Sequence, residues 1–294
     1  MELGMVARAA LNAQWTDALL LEGERCLIES SVRELTEYFG MSRVDVLEAC
    51  VTAQQEARRE WEADPRDTIH DVEAFYRTTR SCLFENVWTQ ATEPASGVLN
   101  ASLLAYAQQI GALEVLDFGA GAGSTALLLA RHGFNVTLAD LSPMMLAFAR
   151  WRFARRGLSA EFIDLNQQPL PQNRYAFVTA VDVLERLYDP AVELQQLSEA
   201  LVLNGVLAFN LHAQPEPQYP MRVMQSGAPL LRALRAHGLR NIQGADPVAD
   251  CLREQGVVTA QRVAHSRVRN WSNRAMDLVW STERRQEWWG RGLV

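Results

Sequence analysis

The chain has 294 residues, 48% of them hydrophobic and 21% charged, and a formal net charge of −7. This composition is typical of a globular protein with a large core, and the length allows one big domain or two modest ones. No apolar run approaches the roughly 20 residues that a membrane-spanning helix needs, and the chain does not open with a basic stretch followed by an apolar one. We therefore expect a cytoplasmic protein without a membrane partner.

Cysteine spacing and charge limit the possible partners further. The four cysteines are widely scattered, without a C-x-x-C motif, so we expect neither a metal site nor a disulfide framework. All 28 basic residues are arginine, which excludes a lysine nucleophile. Residues 1–95 carry 18 Asp and Glu against 9 Arg, a poor electrostatic match to a polyanion. We expect no nucleic-acid partner.

Residues 1–95 are predicted to form a helical region. Gly and Pro are sparse there, and apolar residues recur at helical spacing, as in Val32, Leu35 and Phe39, without strand alternation. The stretch TEPASG (Thr92–Gly97) is the best boundary before the next region. We therefore predict an N-terminal helical cap over residues 1–95 and a second domain over residues 96–294.

Within this cap, the segment Val32–Cys50 has a spacing similar to that of helix-turn-helix proteins. Its second helix would present Asp45 and Glu48 to DNA, with Arg43 as the one offsetting charge. Phosphate contacts dominate DNA affinity, so an acidic reading helix disfavours DNA binding. A dimerisation module is the more plausible use of the pattern, which leaves a homodimer possible.

From about Gly111 onward, short aliphatic or β-branched runs alternate with amphipathic stretches, which predicts an α/β fold with a mostly parallel sheet. The predicted strands are Glu114–Phe118, Asn135–Ala139, Ala160–Ile163, Ala176–Val181 and Gly205–Leu211. Helices are predicted to start near Ser124, Pro143, Asp189 and Gly227. Two later runs, Gly256–Val263 and Ala275–Trp280, could close the sheet.

A glycine-rich turn follows the first of these strands. Gly119, Gly121 and Gly123 give G-x-G-x-G, with Ser124 where the dinucleotide pattern G-x-G-x-x-G has its third glycine. Asp117 precedes the first glycine by two residues, and a carboxylate there would repel a pyrophosphate and attract a cation. An NAD(P)-dependent oxidoreductase remains an alternative, but it would want Gly or Ala at position 124 and gives no reason for Asp117.

The segment around this turn resembles motif I of the class I S-adenosylmethionine-dependent methyltransferases, and the resemblance continues over Leu113–Leu211. It implies a Rossmann-like core with a mostly parallel seven-stranded sheet, and S-adenosylmethionine as cofactor. The cofactor-binding residues that it implies are Asp117, Gly119, Ala120, Gly121, Gly123, Asp140, Leu141, Asp164, Leu165 and Asp182.

The resemblance also implies individual roles for four of these residues. Asp140, 21 residues after Gly119, would hold the ribose hydroxyls. Asp164 would accept a hydrogen bond from the adenine amino group, and Leu165 would pack on the ring. Asp182 would line the methionine end of the pocket and is a candidate catalytic residue. The expected reaction is methyl transfer by in-line displacement to a small organic molecule, with O or N favoured as acceptor atom and C possible.

The sequence departs from the family pattern at Arg186, which stands where many relatives carry a substrate-contacting histidine. A non-catalytic adenosyl-binding protein is therefore a further alternative. His212, just after the fifth predicted strand, is the candidate general base. In the cap, Tyr76 and Arg80 are candidates for binding the methionine carboxylate. The candidate substrate-contacting residues are Trp88, Arg186, Tyr188 and Tyr219.

Overall fold

The computed structural model describes residues 5–210, 220–222, 228–242 and 247–264. Residues Met1–Val263 form one compact unit, and the second unit, Ala264–Val294, falls almost wholly outside the described residues. His212, Tyr219 and the predicted strand Ala275–Trp280 also lie outside them. Within the described ranges, every helix is too short or too polar to cross a membrane.

Eleven helices and seven strands occur in the described part of the chain. The helices are α1 (Met5–Leu19), α2 (Leu27–Phe39), α3 (Arg43–Ala63), α4 (Ile69–Thr78), α5 (Ser81–Thr92), α6 (Pro94–Gln109), α7 (Ser124–Arg131), α8 (Pro143–Arg155), α9 (Pro190–Ala200), α10 (Ala228–Ala236) and α11 (Pro247–Glu254). The strands are β1 (Glu114–Phe118), β2 (Asn135–Asp140), β3 (Glu161–Asp164), β4 (Tyr175–Ala180), β5 (Leu201–Asn210), β6 (Leu239–Asn241) and β7 (Val257–Arg262).

The strands form one sheet in the order β3-β2-β1-β4-β5-β7-β6. The first five strands are parallel, and β7 runs antiparallel to both of its neighbours. The predicted seven-stranded, mostly parallel sheet is therefore confirmed, and this antiparallel closure differs from the 3-2-1-4-5-6 order of dinucleotide-binding folds. The carboxyl ends of β1 to β4 meet at one edge, where ligands bind in open α/β sheets.

The predicted run Gly256–Val263 is β7, and the other closing strand is β6, which the sequence did not indicate. With three residues, β6 is too short to show the period-two alternation by which strands are recognised. The second predicted closing run, Ala275–Trp280, lies outside the described residues.

The predicted helical region consists of α1 to α5, and capping contacts explain several of the helix ends. Ser42 caps α3 by accepting the backbone N–H of Asp45, and Thr68 and Asp71 form a capping box at the start of α4. Gly40 ends α2 in the left-handed conformation, with φ of 64°. The predicted domain boundary at residues 95 and 96 lies in the first turn of α6, which begins at Pro94.

The helical region packs directly on the sheet domain through two hydrophobic clusters. Trp15 of α1 is buried with Leu103 of α6 and Leu127 of α7 on one face of the sheet. A second cluster joins Leu35 of α2 and Phe84 of α5 to residues that include Ala122, Met145 and Phe148. Burial of each such large side chain stabilises the fold by about 1.5–3 kcal/mol. This packing brings α2 and α5 against the glycine-rich turn.

Candidate active site at the carboxyl edge of the sheet

The glycine-rich turn between β1 and α7 needs its glycines for two physical reasons. Gly119, Gly121 and Gly123 have φ of 67°, 53° and 75°, in the left-handed region that favours glycine. A Cβ on Gly123 would lie 2.9 Å from Leu138 Cδ2 and 3.0 Å from Ala149 Cβ. Gly123 thus permits the close packing of α7 that the third glycine provides in dinucleotide folds.

Asp140 at the end of β2 holds the shape of this turn. Its Oδ2 accepts the backbone N–H of Gly121 at 2.8 Å, and its Oδ1 accepts the backbone N–H of Ser142 at 2.8 Å. Burial raises the pKa of this carboxyl, while the backbone donors act to lower it. A carboxylate has about four acceptor positions, and the backbone N–H groups of Ser142, Gly121 and Leu141 act on this one, so it retains acceptor capacity for a neighbouring hydroxyl. This arrangement fits a ribose diol.

Asp117 on β1 is buried beneath the turn, with 6% of its surface exposed. Thr179 donates a hydrogen bond to its Oδ1 at 2.7 Å. Its Oδ2 is buried without a hydrogen-bond partner among the described residues, although the Ala126 N–H in the first turn of α7 lowers its pKa. Burial dominates and raises the pKa of Asp117 to about 6. A buried carboxyl with an open acceptor fits a cationic ligand and disfavours a pyrophosphate.

Asp164 and Leu165 follow β3 on the far side of Asp140. The Leu165 N–H donates to the Asp140 carbonyl at 3.1 Å, which fixes this turn beside the glycine-rich one. Asp164 Oδ1 accepts the Asn166 N–H at 2.9 Å, and Oδ2 accepts Gln167 Nε2 at 2.8 Å. Asn166 Nδ2 also donates to the Leu141 carbonyl at 2.8 Å. The predicted adenine-side residues therefore lie together at the sheet edge.

Asp182 follows β4 in a left-handed conformation, with φ of 56°, which is uncommon for a residue other than glycine. Asn210 at the end of β5 holds it there through a reciprocal pair of bonds. The Asp182 N–H donates to Asn210 Oδ1 at 2.6 Å, and Asn210 Nδ2 donates to Asp182 Oδ1 at 2.7 Å. Such strain persists where surrounding contacts over-determine it, as at ligand sites. Asn210 is a residue that the sequence reasoning missed.

The helical region reaches the same edge through α4 and α5. Asn86 Oδ1 accepts the backbone N–H of Ala122 at 3.1 Å, a contact that no sequence signal indicated. The Tyr76 hydroxyl donates to the Met221 carbonyl at 3.0 Å. Arg80 instead lies over the Phe39 ring, with its Cζ 4.4 Å from the centroid. The described contacts of Arg80 are made to Phe39, Met41 and Phe84, within the helical region, whereas Asn86 touches the glycine-rich turn.

A group of charged residues lies between α5 and the segment after β4. Arg186 Nε donates to the Asp182 carbonyl at 2.9 Å. Burial acts to lower the pKa of Arg186, but Tyr76, Glu185 and other nearby groups outweigh it and raise that pKa, so the guanidinium stays charged. Burial raises the pKa of Glu85, against the opposing charge of Arg186. Arg186 thus lies beside Asp182, where the sequence analysis placed a substrate contact.

The other candidate substrate residues are distributed around this group. Trp88 is half-buried and packs against the cluster that contains Phe84 and Phe148. Tyr188 is 53% exposed, and its hydroxyl donates to the Asp67 carbonyl at 3.2 Å. This bond joins the segment after β4 to the turn before α4, and it adds to the contacts that Asn86 and Tyr76 make from the helical region.

Three comparisons place this site among known proteins. The family described as "Methyltransferase domain" matches residues 88–258. The ubiquinone biosynthesis O-methyltransferase of Xylella fastidiosa (strain 9a5c) is 27% identical over 177 residues, covering 55% of this chain and 67% of the relative. The tRNA 5-carboxymethoxyuridine methyltransferase of Escherichia coli (strain K12) is 36% identical over 111 residues, covering 34% of this chain and 41% of the relative.

A solved structure shares the fold. It is the Burkholderia thailandensis 1,6-didemethyltoxoflavin-N1-methyltransferase with bound 1,6-didemethyltoxoflavin and S-adenosylhomocysteine, with a TM-score of 0.50 and 18% identity. The match covers 68% of this chain and 93% of that one. The chain spans about half the length of the first curated relatives it matches, 47% and 44%.

Proposed function

We propose that this chain, which belongs to the class I S-adenosylmethionine-dependent methyltransferase-domain family, transfers a methyl group from S-adenosylmethionine to a small organic acceptor. Oxygen or nitrogen is the favoured acceptor atom. The observation that carries the proposal is the acidic surround of the glycine-rich turn, formed by Asp117, Asp140 and Asp182 at the ends of neighbouring strands. This surround matches a cationic donor that carries no phosphate.

Different residues at the sheet edge would then bind different parts of the cofactor. The open acceptor positions of Asp140 would bind the ribose hydroxyls, and Asp164 with Leu165 would hold the adenine. Asp182, fixed by Asn210, would line the methionine end. The bound sulfonium supplies an activated methyl group for in-line displacement. The protein would mainly contribute alignment and the exclusion of water.

Two features of the helical region favour a small molecule as the methyl acceptor. Its contacts from Tyr76 to Met221 and from Asp67 to Tyr188 bring α4 onto the segments that follow the sheet strands. Its acidic charge opposes the approach of a nucleic acid. Arg186, which lies beside Asp182, would bind an acidic or hydroxyl-bearing group on the acceptor. His212 stays a predicted base, because it lies outside the described residues.

Two measurements on the purified full-length chain test this function. Calorimetric titration should show binding of S-adenosylhomocysteine and not of NADH. Radiolabelled S-adenosylmethionine, incubated in separate assays with a panel of phenols, amines and carboxylic acids and with tRNA, should give a methylated product from the panel. Binding of NADH alone would overturn the cofactor assignment. Binding of S-adenosylhomocysteine without transfer across the panel would overturn the catalytic role, and transfer to tRNA alone would overturn the small-acceptor assignment.

The ribose assignment has its own test in Asp140. Asp140→Ala should weaken S-adenosylhomocysteine binding by roughly 1–3 kcal/mol, the scale of lost charge-assisted hydrogen bonds. Asp140→Asn should weaken binding nearly as much. Its amide NH2 would face the backbone N–H of either Gly121 or Ser142, so one of these hydrogen bonds would be lost. Asp189→Asn is the matched control, because Asp189 also accepts a backbone N–H at a helix start but lies on α9. Wild-type affinity in Asp140→Ala would contradict the ribose role.

A further inference from the structure

Both backbone polar groups of Ala122, in the glycine-rich turn, are bound by side chains of neighbouring helices, the partly buried Asn86 and the buried Arg152. Asn86 of α5 accepts its N–H at 3.1 Å, and Arg152 of α8 donates Nη1 to its carbonyl at 2.8 Å. The same Nη1 also donates to Ser124 Oγ at 2.9 Å, in the first turn of α7. Arg152 therefore links the glycine-rich turn, at Ala122, to the first residue of α7, Ser124.

Arg152 is in turn oriented by the helical region. Its Nε donates to Glu34 Oε2 of α2 at 3.0 Å, and the two side chains are 2% and 1% exposed. Arg156 donates to the other carboxylate oxygen of Glu34 and, at 2.8 Å, to the Leu19 carbonyl. The Glu34 carboxylate of the helical region thus accepts hydrogen bonds from Arg152 of α8 and from Arg156, the residue that caps the C-terminus of α8.

A buried ion pair is a poor way to stabilise a fold, because desolvation of both charges offsets most of their attraction. Apolar residues such as Leu35 already pack α2 in the interior. The pair does supply direction, since the planar guanidinium reaches Glu34, Ala122 and Ser124 at once only in one orientation. Its contacts thus specify the shape of the turn more than they add stability.

The same two helices carry a second ion pair that lacks this connection. Arg155 of α8 donates Nη2 and Nε to Glu37 of α2, with the closest approach 2.8 Å. The side chains of Arg155 and Glu37 are 22% and 39% exposed. The described contacts of Arg155 are made to Glu37 and the Trp151 ring, away from the glycine-rich turn. This pair is a natural control for the buried one.

We infer that Glu34 and Arg152 are positioning residues of the cofactor site. Through this pair, the packing of α2 against α8 sets the affinity of the glycine-rich turn for S-adenosylmethionine. The inference rests on the proposed function for the identity of the ligand. Because coupling between cofactor binding and the packing of α2 is reciprocal, the bound cofactor would also stabilise the packing of α2 against α8. The helical region would then be part of the cofactor site as well as a cover for the acceptor.

The experiment compares Glu34→Gln with Glu37→Gln in the full chain. Each variant removes one carboxylate charge of α2 that pairs with an arginine of α8. Glu34→Gln should weaken S-adenosylhomocysteine binding roughly tenfold, since a buried charge pair is lost, and should speed hydrogen exchange at the amides of residues 121–124. Glu37→Gln should leave both within about twofold of wild type, as expected for an exposed pair.

A second variant covers the case in which Glu34→Gln does not fold. Arg152→Lys keeps a positive charge beside Glu34 but cannot reproduce the three-way contact, so it should fold and still bind S-adenosylhomocysteine more weakly. Wild-type affinity and exchange in a folded Glu34→Gln, or in Arg152→Lys, would overturn the inference alone. If the wild-type chain itself binds no S-adenosylhomocysteine, the proposed function fails, and the exchange comparison still decides whether Glu34 shapes the turn.

Discussion

Replacing Gly119 by alanine should lower the free energy of unfolding by about 2–4 kcal/mol and weaken S-adenosylhomocysteine binding at least roughly a hundredfold, or about 2.7 kcal/mol. Gly119 has φ of +67°, a conformation that costs other residues about 1–2 kcal/mol. An added Cβ would lie 2.4 Å from Val183 Cγ2 and 3.0 Å from Cγ1. Val183 must then move, and it directly follows the strained Asp182.

The coupling to Asp182 explains why binding should fall more than stability alone requires. Asp182 keeps its left-handed conformation through the bonds to Asn210, and Val183 is the next residue along the chain. A displaced Val183 would therefore move the predicted methionine-end carboxylate as well as the first residue of the turn. Denaturant unfolding and calorimetric titration of the same samples would separate the two effects.

Gly133→Ala is the matched control for this substitution. Gly133 also has a positive φ, 87°, but a Cβ there would meet nothing within 4 Å. This variant should lose about 1 kcal/mol of stability from backbone strain alone and keep wild-type affinity. If Gly119→Ala behaved like Gly133→Ala, the close approach of Val183 would be irrelevant to the site.

The sheet could be predicted well because each core strand is a short aliphatic run bounded by turn residues. The run EVLDF predicts β1 with both of its ends, and β2 extends one residue beyond its prediction, to Asp140. β5 instead begins four residues earlier than predicted, at Leu201, because its partner Tyr175 on β4 pairs there across a register shift. Pairing of this kind depends on a neighbouring strand and leaves no mark in the local sequence.

The residues of the candidate site also differ in whether the local sequence reveals them. Gly119, Gly123 and Asp140 could be picked out because a tight turn after a strand demands those residue types at fixed local spacing. Asn86 and Asn210 could not, because each acts on a turn that lies 36 or 28 residues away along the chain. The sequence therefore indicates the groups that a ligand would touch more readily than the side chains that hold those groups in place.

Replacing Asp117 by asparagine should make the ligand-free protein more stable above pH 6, by up to about 3 kcal/mol, and should weaken S-adenosylhomocysteine binding. Burial raises the pKa of Asp117 from 3.8 to about 6, and each pKa unit corresponds to about 1.4 kcal/mol. Between pH 4 and 6 the folded state therefore binds more protons than the unfolded one, so stability falls as the pH rises through this window. Above pH 6 the full cost of the buried charge remains.

Asparagine removes that charge without changing the shape of the side chain, and its Oδ1 can still accept the hydrogen bond from Thr179. The advantage of Asp117→Asn should thus be largest above pH 6 and should shrink towards pH 3, where the wild-type carboxyl is mostly protonated in both states. Urea unfolding from pH 3 to 8 measures it, with Asp189→Asn, at an exposed helix start, as the control. A variant less stable than wild type at neutral pH would mean that the carboxylate is compensated in the folded state.

Affinity should change in the opposite direction, because the negative charge is what a cationic ligand gains from this position. Asp117→Asn should weaken S-adenosylhomocysteine, through its ammonium group, roughly tenfold, on the scale of a charge-assisted bond. It should weaken S-adenosylmethionine further, because that ligand adds a sulfonium. A more stable protein that binds its cofactor less well is the expected trade-off at a functional site. Unchanged affinities for both ligands would contradict the assignment of Asp117 to the cofactor site.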